Sequence, residues 1–283
     1  MSNIVCVGDN TVDIYVDRKT MYPGGNAVNV AAISRRLGAM SAYIGCISLD
    51  RYGTLVYDAL LAEGVDLALC RRSAGPSPMA LVGHRENDRY FIGSMPGIRA
   101  DYVLSDADFA VMAKADVVHT SVSSDLDGSL PKIARHAKCL SYDFSNRWLD
   151  RHLVECAPLL DVAFISAPAR DENTCIDLMW QWAESGTDLV VMTRGDAGSL
   201  ALVNGLIHRQ GIVPTEVIDT LGAGDGFISG FLTSHAKGLS VPQALQAGAS
   251  SAASSCRLMG AFGHGREHPW PTPDLPAPRI AER

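Results

Sequence analysis

The feature that most constrains this chain is a repeated alternation of short apolar runs with helix-like stretches. Ile4–Val7, Ala42–Ile47, Val117–Thr120, Cys139–Asp143, Val162–Ser166 and Leu189–Thr193 have the length and continuity of buried strands. Ala27 to Leu37 carries apolar residues at helical spacing and ends at Gly38, and Tyr52–Glu63 reads as a helix stopped by Gly64. This alternation predicts an α/β fold, a mostly parallel sheet with helices on both faces. In such sheets ligands gather beyond the carboxyl ends of the strands. Asp143, Ser166 and Thr193 fall at three of those ends, which predicts one shared site.

Composition narrows the classes. A chain of 283 residues that is 47% hydrophobic can bury a large core. Its net charge of −7 argues against nucleic acid or an anionic membrane as the main partner. The seven cysteines are scattered with no Cys-x-x-Cys or Cys/His cluster, so they read as small core residues in a reducing compartment, not as a zinc site. No signal-peptide pattern follows Met1 and no apolar run approaches membrane-spanning length, so the expected location is cytoplasmic.

Ile218-Asp219-Thr220-Leu221-Gly222-Ala223-Gly224-Asp225 runs straight into an apolar, helix-like stretch. Small residues let the backbone approach a ligand, and a helix starting there offers free N–H groups and a positive dipole end to phosphate-like charge. Asp225 then stands at the lip of an anion site. Alone, it reads as an acidic residue in an ordinary first turn. Beside an anion site it reads as a general base facing a second substrate. Near the N-terminus, Gly8-Asp9-Asn10 and Asp13 precede Pro23-Gly24-Gly25-Asn26-Ala27-Val28-Asn29. Taken singly, Asp9 and Asp13 read as turn and cap residues and Asn26 as an N-cap. As a group they offer the mix of acceptors and donors that a polyol needs.

These motifs identify a resemblance. The chain is similar to the ribokinase-like (PfkB) carbohydrate kinases over nearly all of residues 3–270, through Asp-Thr-x-Gly-Ala-Gly-Asp at Asp219–Asp225 and Gly-Gly-Asn-x-x-Asn-x-Ala from Gly24. Asp143-Phe144-Ser145-Asn146-Arg147-Trp148 and Thr193-Arg194-Gly195-Asp196-Ala197-Gly198 add further matches. Within the family, Gly8–Tyr15, Asp143-Phe144-Ser145 and Ser166-Ala167-Pro168 look most like the fructoselysine 6-kinase subgroup. The resemblance implies a ribokinase-like fold and in-line transfer of the γ-phosphoryl of ATP to a sugar hydroxyl, O6 of a fructosamine in that subgroup. Asp225 would be the base, and the N–H groups of Gly222, Ala223 and Gly224 would stabilise charge on the phosphoryl. Asp9, Asp13, Gly25, Asn26 and Asn29 carry over as the sugar set. Thr193, Gly195, Asp219, Gly222, Gly224, Ala249 and Ala253 carry over to ATP, the two alanines as an apolar wall for adenine; tight helix packing is the alternative there. A kinase for a simple ketose or pentose, or a non-catalytic sugar or nucleotide sensor, shares most of these motifs.

Other segments refine the expectation. Ile14–Tyr22 and roughly Asp66–Gly93 read as a small β-sheet standing off the main domain, which in this family is a lid over the sugar and often a homodimer contact; an edge hairpin is the alternative. Residues 1–270 are thus expected to form one kinase domain, followed by a proline-rich tail at 271–283. Most members carry Asn-x-x-Glu where this chain has Ser166-Ala167-Pro168-Ala169-Arg170-Asp171-Glu172, so Mg²⁺ is expected with ATP and Asp171 or Glu172 as an indirect partner. A monovalent cation near the Asp219 loop is also in keeping with relatives. There is no Gly-x-x-x-x-Gly-Lys-Ser/Thr, which excludes a P-loop enzyme. Arg99 and Arg147 are candidates to clamp a substrate carboxylate, with a surface ion pair as the alternative, and His84 and His119 are weaker candidates to line the sugar site.

Overall fold

In a computed structural model, the structure describes residues 1–85, 88–98, 103–148, 155–168 and 170–268. The chain begins with β1 (Asn3–Val7), then β2 (Thr11–Tyr15), β3 (Thr20–Gly24), α1 (Asn26–Arg36) and β4 (Met40–Ile44). β5 (Cys46–Ser48), α2 (Arg51–Glu63), β6 (Arg71–Ser73), β7 (Met79–Arg85) and β8 (Asp88–Met95) follow. Next come α3 (Asp106–Met112), β9 (Val117–Ser121), α4 (Leu130–His136), β10 (Leu140–Asp143), β11 (Val162–Ser166), α5 (Glu172–Glu184) and β12 (Leu189–Thr193). The hairpin β13 (Ser199–Val203) and β14 (Leu206–Gln210) leads into α6 (Ala223–His235), α7 (Val241–Ser255) and the short β15 (Arg266–Glu267).

Eight strands form the main sheet in the order β14-β13-β12-β11-β10-β9-β1-β4. The six from β12 to β4 pair in parallel, and β13 and β14 add an antiparallel hairpin at one edge. Side-chain alternation along each strand divides the core. Ile4, Cys6, Val117, Val162, Phe164, Leu189 and Val191 pack with α1, α2, α6 and α7. Their neighbours Val5, Val7, Val118, Ala163, Ile165, Val190 and Met192 pack with α3, α4 and α5 on the other face. Strands apolar at successive positions are therefore covered on both sides, as the sequence predicts, and the fold is α/β.

Three expectations need revision. Ala42–Ile47 is two strands: β4 stops at Ile44, and β5 leaves to pair with β6. Gly45 marks the break, where a Cβ would lie 2.2 Å from the Tyr43 hydroxyl and 2.7 Å from the Gly8 carbonyl, so the chain turns in a crowded place. The second sheet has the order β15-β3-β2-β7-β8, running from Thr11 to Gly24 and from Met79 to Met95, with Arg266–Glu267 added at its edge. The first part of the 66–93 stretch does not join it, because Arg71–Ser73 is paired with β5 instead. Arg99, the backbone of 271–283 and the His84 side chain lie outside the described residues.

Candidate active site

Residues at the carboxyl ends of β1, β9, β10, β11 and β12, together with α1, the second sheet and the α6 start, enclose a cavity of about 430 Å³. The strand ends supply Asp9, Ser121, Asp143, Ser166 and Thr193; Asp13 comes from β2 and Phe91 and Met95 from β8.

The floor is built where α1 begins. Gly25 has φ +101°, and a Cβ there would stand 2.6 Å from the Asn10 Cα, so only glycine fits this close approach. A glycine N-cap has no side chain to satisfy the first helical N–H groups. The Asp9 carboxylate, arriving from the end of β1, does so instead: it accepts from Asn26 N at 2.7 Å and Ala27 N at 3.2 Å. The Ser124 hydroxyl donates to it at 3.1 Å and the Ser121 hydroxyl at 3.3 Å. Asp9 lines the cavity, but its carboxylate chiefly anchors the helix start.

Asn26 and Asn29, three residues apart, share one face of α1. Asn26 Nδ2 donates to Asp225 Oδ1 at 2.8 Å and to Asp143 Oδ2 at 2.9 Å. Asn29 Nδ2 donates to Asp225 Oδ2 at 2.6 Å, while its buried Oδ1 has no hydrogen-bond partner. Both oxygens of Asp225 are thus held from below. His119 lies behind Asn26, fully buried, with Nε2 3.0 Å from Asn26 Oδ1 and Nδ1 3.0 Å from the Ser141 hydroxyl. Burial pushes its imidazole down to about 3, so it is neutral. Because Asn26 presents its oxygen, His119 carries the proton on Nε2 and accepts from Ser141 at Nδ1. His119 therefore does not line the cavity; it orients the Asn26 amide, which in turn holds Asp225.

α6 opens at Gly222, in the left-handed region with φ +75°, where a Cβ would come 2.2 Å from the Ala261 Cβ. Gly224 has no atom within 4 Å of a Cβ position, which leaves room for a ligand against the first turn. Gly222, Gly224 and Asp225 all line the cavity. Asp219 is buried behind this loop: it accepts from Leu221 N and Gly260 N, each at 2.9 Å, and from the Tyr15 hydroxyl of β2. It acts as a brace that ties the loop to the second sheet.

Of the remaining expected residues, Asp13 and Thr193 line the cavity and Gly195 sits exposed just beyond Thr193. Ala249 and Ala253 do not reach the cavity: both are buried on α7, Ala249 in the core with Phe227 and Phe231. Elsewhere on α7, small residues let α6 cross closely; a Cβ on Gly230 would stand 2.4 Å from the Ala247 carbonyl. Asp171 caps α5 by accepting from Thr174 N at 3.0 Å. Glu172 is held between Arg194 at 3.0 Å and Arg209 at 2.7 Å. Neither acidic residue lines the cavity, and the described residues contain no cluster of His, Cys, Asp and Glu able to hold a metal. Arg147 lies on the exposed turn after β10 and is not part of the lining.

Asp143 emerges here as more than a strand end. Its Oδ1 accepts from Ser145 N at 2.8 Å and its Oδ2 from Asn26. Burial, opposed by the Ser145 N–H and reinforced by the charges of Asp225 and Asp9, pushes its carboxyl up to about 7. The signal in the sequence is its position: a carboxylate closing an apolar strand in a parallel sheet.

A carboxylate clamped at the N-terminus of a glycine-started helix, over a polar cavity at the strand ends, defines the site of an enzyme that moves charged groups between two substrates. The chain matches the model of the pfkB family carbohydrate kinases over residues 1–263 and belongs to that family. It is a carbohydrate kinase. It is 37% identical to the fructosamine kinase FrlD of Bacillus subtilis, over 93% of each chain. It is 36% identical to the fructoselysine 6-kinase of Escherichia coli, over 93% of this chain and all of that one. Among solved structures, Arabidopsis thaliana ribokinase complexed with ribose and ATP superposes with a TM-score of 0.81 at 21% identity, covering 93% of this chain and 95% of that one. The fold is therefore ribokinase-like.

Proposed function

We propose that this protein is an ATP-dependent fructosamine kinase that phosphorylates O6 of a fructosyl-amine such as fructoselysine. The observation that carries this reading is the clamp on Asp225 at the α6 N-terminus, facing a cavity large enough for a sugar. The names of the two relatives near 37% identity supply the substrate class. Asp225 accepts the proton of the attacking hydroxyl, while Asn26 and Asn29 keep its lone pairs aimed into the cavity. The N–H groups of Gly222 and Gly224 face the transferring phosphoryl and stabilise its charge; the Ala223 N–H, expected to join them, donates instead to the Thr220 carbonyl at 3.2 Å, and Ala223 is not among the residues lining the cavity. ATP, when bound, supplies the phosphoryl group, and the open first turn of α6 with Thr193 and Gly195 alongside fits its phosphates. Asp171 and Glu172 are engaged elsewhere, so a Mg²⁺ accompanying ATP is held through phosphates and water.

The second sheet serves as a lid that keeps water from competing for the phosphoryl group. Its outer strand exposes Tyr90 and Phe91, which suits contact with a second copy. No helix among the described residues is long and apolar enough to cross a membrane, and all seven cysteines are free thiols, in keeping with a cytoplasmic enzyme. The test is ADP release with Mg-ATP across fructoselysine, fructose, ribose and a nucleoside. Selective turnover of fructoselysine is expected; preference for a free sugar would replace the substrate class, and binding without turnover would replace the enzyme by a sensor.

A further inference from the structure

The charge lining the cavity has one sign. Asp9, Asp13, Asp125, Asp143 and Asp225 line it, and the described lining residues include no Lys, Arg or His. A neutral sugar gives little reason for so many carboxylates, since each additional buried one loses hydration and repels its neighbours. Their environments differ. Asp9 is occupied by the α1 start and two serines, and Asp225 is the base. Asp13 sits on β2 among the residues carried over as hydroxyl-binding. Asp125 is exposed at the rim, where water screens it. Asp143 alone combines a sheltered position with two fixed hydrogen bonds, and among the described residues no cation pairs with it. Burial, with Asp225 and Asp9 nearby, raises its carboxyl, and a cation placed against it would offset both effects.

We propose that Asp143 is the specificity residue for the substrate's amine: its carboxylate receives the protonated secondary nitrogen of a fructosyl-amine and so separates that substrate from a plain ketose. The proposal rests on the fructosamine-kinase reading above. A secondary ammonium brings a full charge and two N–H donors, and each Asp143 oxygen keeps a lone pair beyond the hydrogen bond it already accepts. Phe91, Met95 and Ile98 also line the cavity and give the methylenes of an amino-acid arm an apolar path toward solvent. An Arg clamp on the arm's carboxylate finds no support in the described lining, because Arg147 lies outside it.

The test compares kcat/KM for fructoselysine and for its ether isostere, with oxygen in place of the linking nitrogen. Wild type is expected to favour the amine by at least about tenfold, the scale of a charge-assisted hydrogen bond. Asp143→Asn is expected to lower that ratio by about tenfold, whatever loss both substrates share through Asn26. Asp143→Glu, which keeps the charge, should retain more of the preference than the Asn variant. A ratio unchanged within about twofold in Asp143→Asn overturns the proposal. So does a wild type that treats amine and ether alike, a result that requires no variant to fold. A wild type that phosphorylates neither compound but turns over another sugar defeats the functional reading itself, and the proposal with it.

Discussion

If Asp225 is the base proposed above, Asn26, which ties it to both Asp143 and His119, helps to set its position, and Asn26→Ala is the variant that exposes this. The substitution removes the bonds to Asp225 at 2.8 Å, to Asp143 at 2.9 Å and to His119 at 3.0 Å, while alanine suits a helix. Two effects of different origin follow. Buried, neutral His119 loses the acceptor for its Nε2 proton, and an orphaned donor of this kind costs about 1–3 kcal/mol of stability. Asp225 loses one of the two donors that fix it. A hydrogen bond to a charged group contributes about 1.5–3 kcal/mol. At about 1.4 kcal/mol per factor of ten, its full loss from the transition state lowers turnover by roughly 10- to 10²-fold. Water entering the polar cavity restores part of this, so the lower end is the expected value. Coupled ADP release gives kcat, and urea unfolding gives the stability change. Asn29→Ala is the internal control: it removes the 2.6 Å bond to Asp225 but leaves His119 paired, so turnover falls with less loss attributable to an orphaned donor. An Asn26→Ala enzyme with kcat within about twofold of wild type would refute the claim that this clamp sets the base.

Gly222→Ala places a Cβ 2.2 Å from that of Ala261 at a φ of +75°, so both sterics and backbone oppose it. A loss of stability of about 1–3 kcal/mol with weakened ATP binding is expected, and calorimetric titration with a non-hydrolysable ATP analogue reads the second effect. Asp143 predicts a pH dependence of the free enzyme. Its folded carboxyl lies near 7, above the unfolded value, so its contribution to stability is fully present below the unfolded value and is lost as pH rises through about 7. Melting curves from pH 5 to 9 should therefore show Asp143→Asn gaining on wild type as pH rises; parallel curves would remove the assignment.

Much of the fold was legible because buried parallel strands are written as continuous apolar runs. Val162–Ser166 and Leu189–Thr193 have the bounds read from the sequence, and Gly64 ends α2 in the left-handed conformation. Ala42–Ile47 misled because its apolar run continues through Gly45, where the crowding that turns the chain comes from Tyr43 and Gly8. The second sheet was visible as texture but not as pairing: β2 pairs in parallel with β7, a long-range contact that local pattern does not specify. At the site, the motifs marked Asp225, Asn26 and Asn29, but as a proton acceptor and a sugar set; that the two amides donate to Asp225 was not legible, since they come from segments nearly two hundred residues apart. His119 was not, since a histidine in an apolar strand looks the same whether it faces a ligand or supports an amide. Nor was the cavity's uniform charge, which sums carboxylates from separate segments of the chain. Ala249 and Ala253 show the converse limit: a small-residue stripe suits a purine or a neighbouring helix equally, and local pattern does not choose between them.

The measurement that tests the central claim most directly is single-turnover phosphoryl transfer by Asp225→Asn with Mg-ATP and fructoselysine, alongside binding of both ligands. The substitution keeps size but removes the proton acceptor, and its NH2 replaces one of the two oxygens that accept from Asn26 and Asn29. The account predicts that the transfer rate falls about 10²- to 10⁴-fold while both ligands still bind. Transfer at the wild-type rate would contradict it and require the proton to leave by another group.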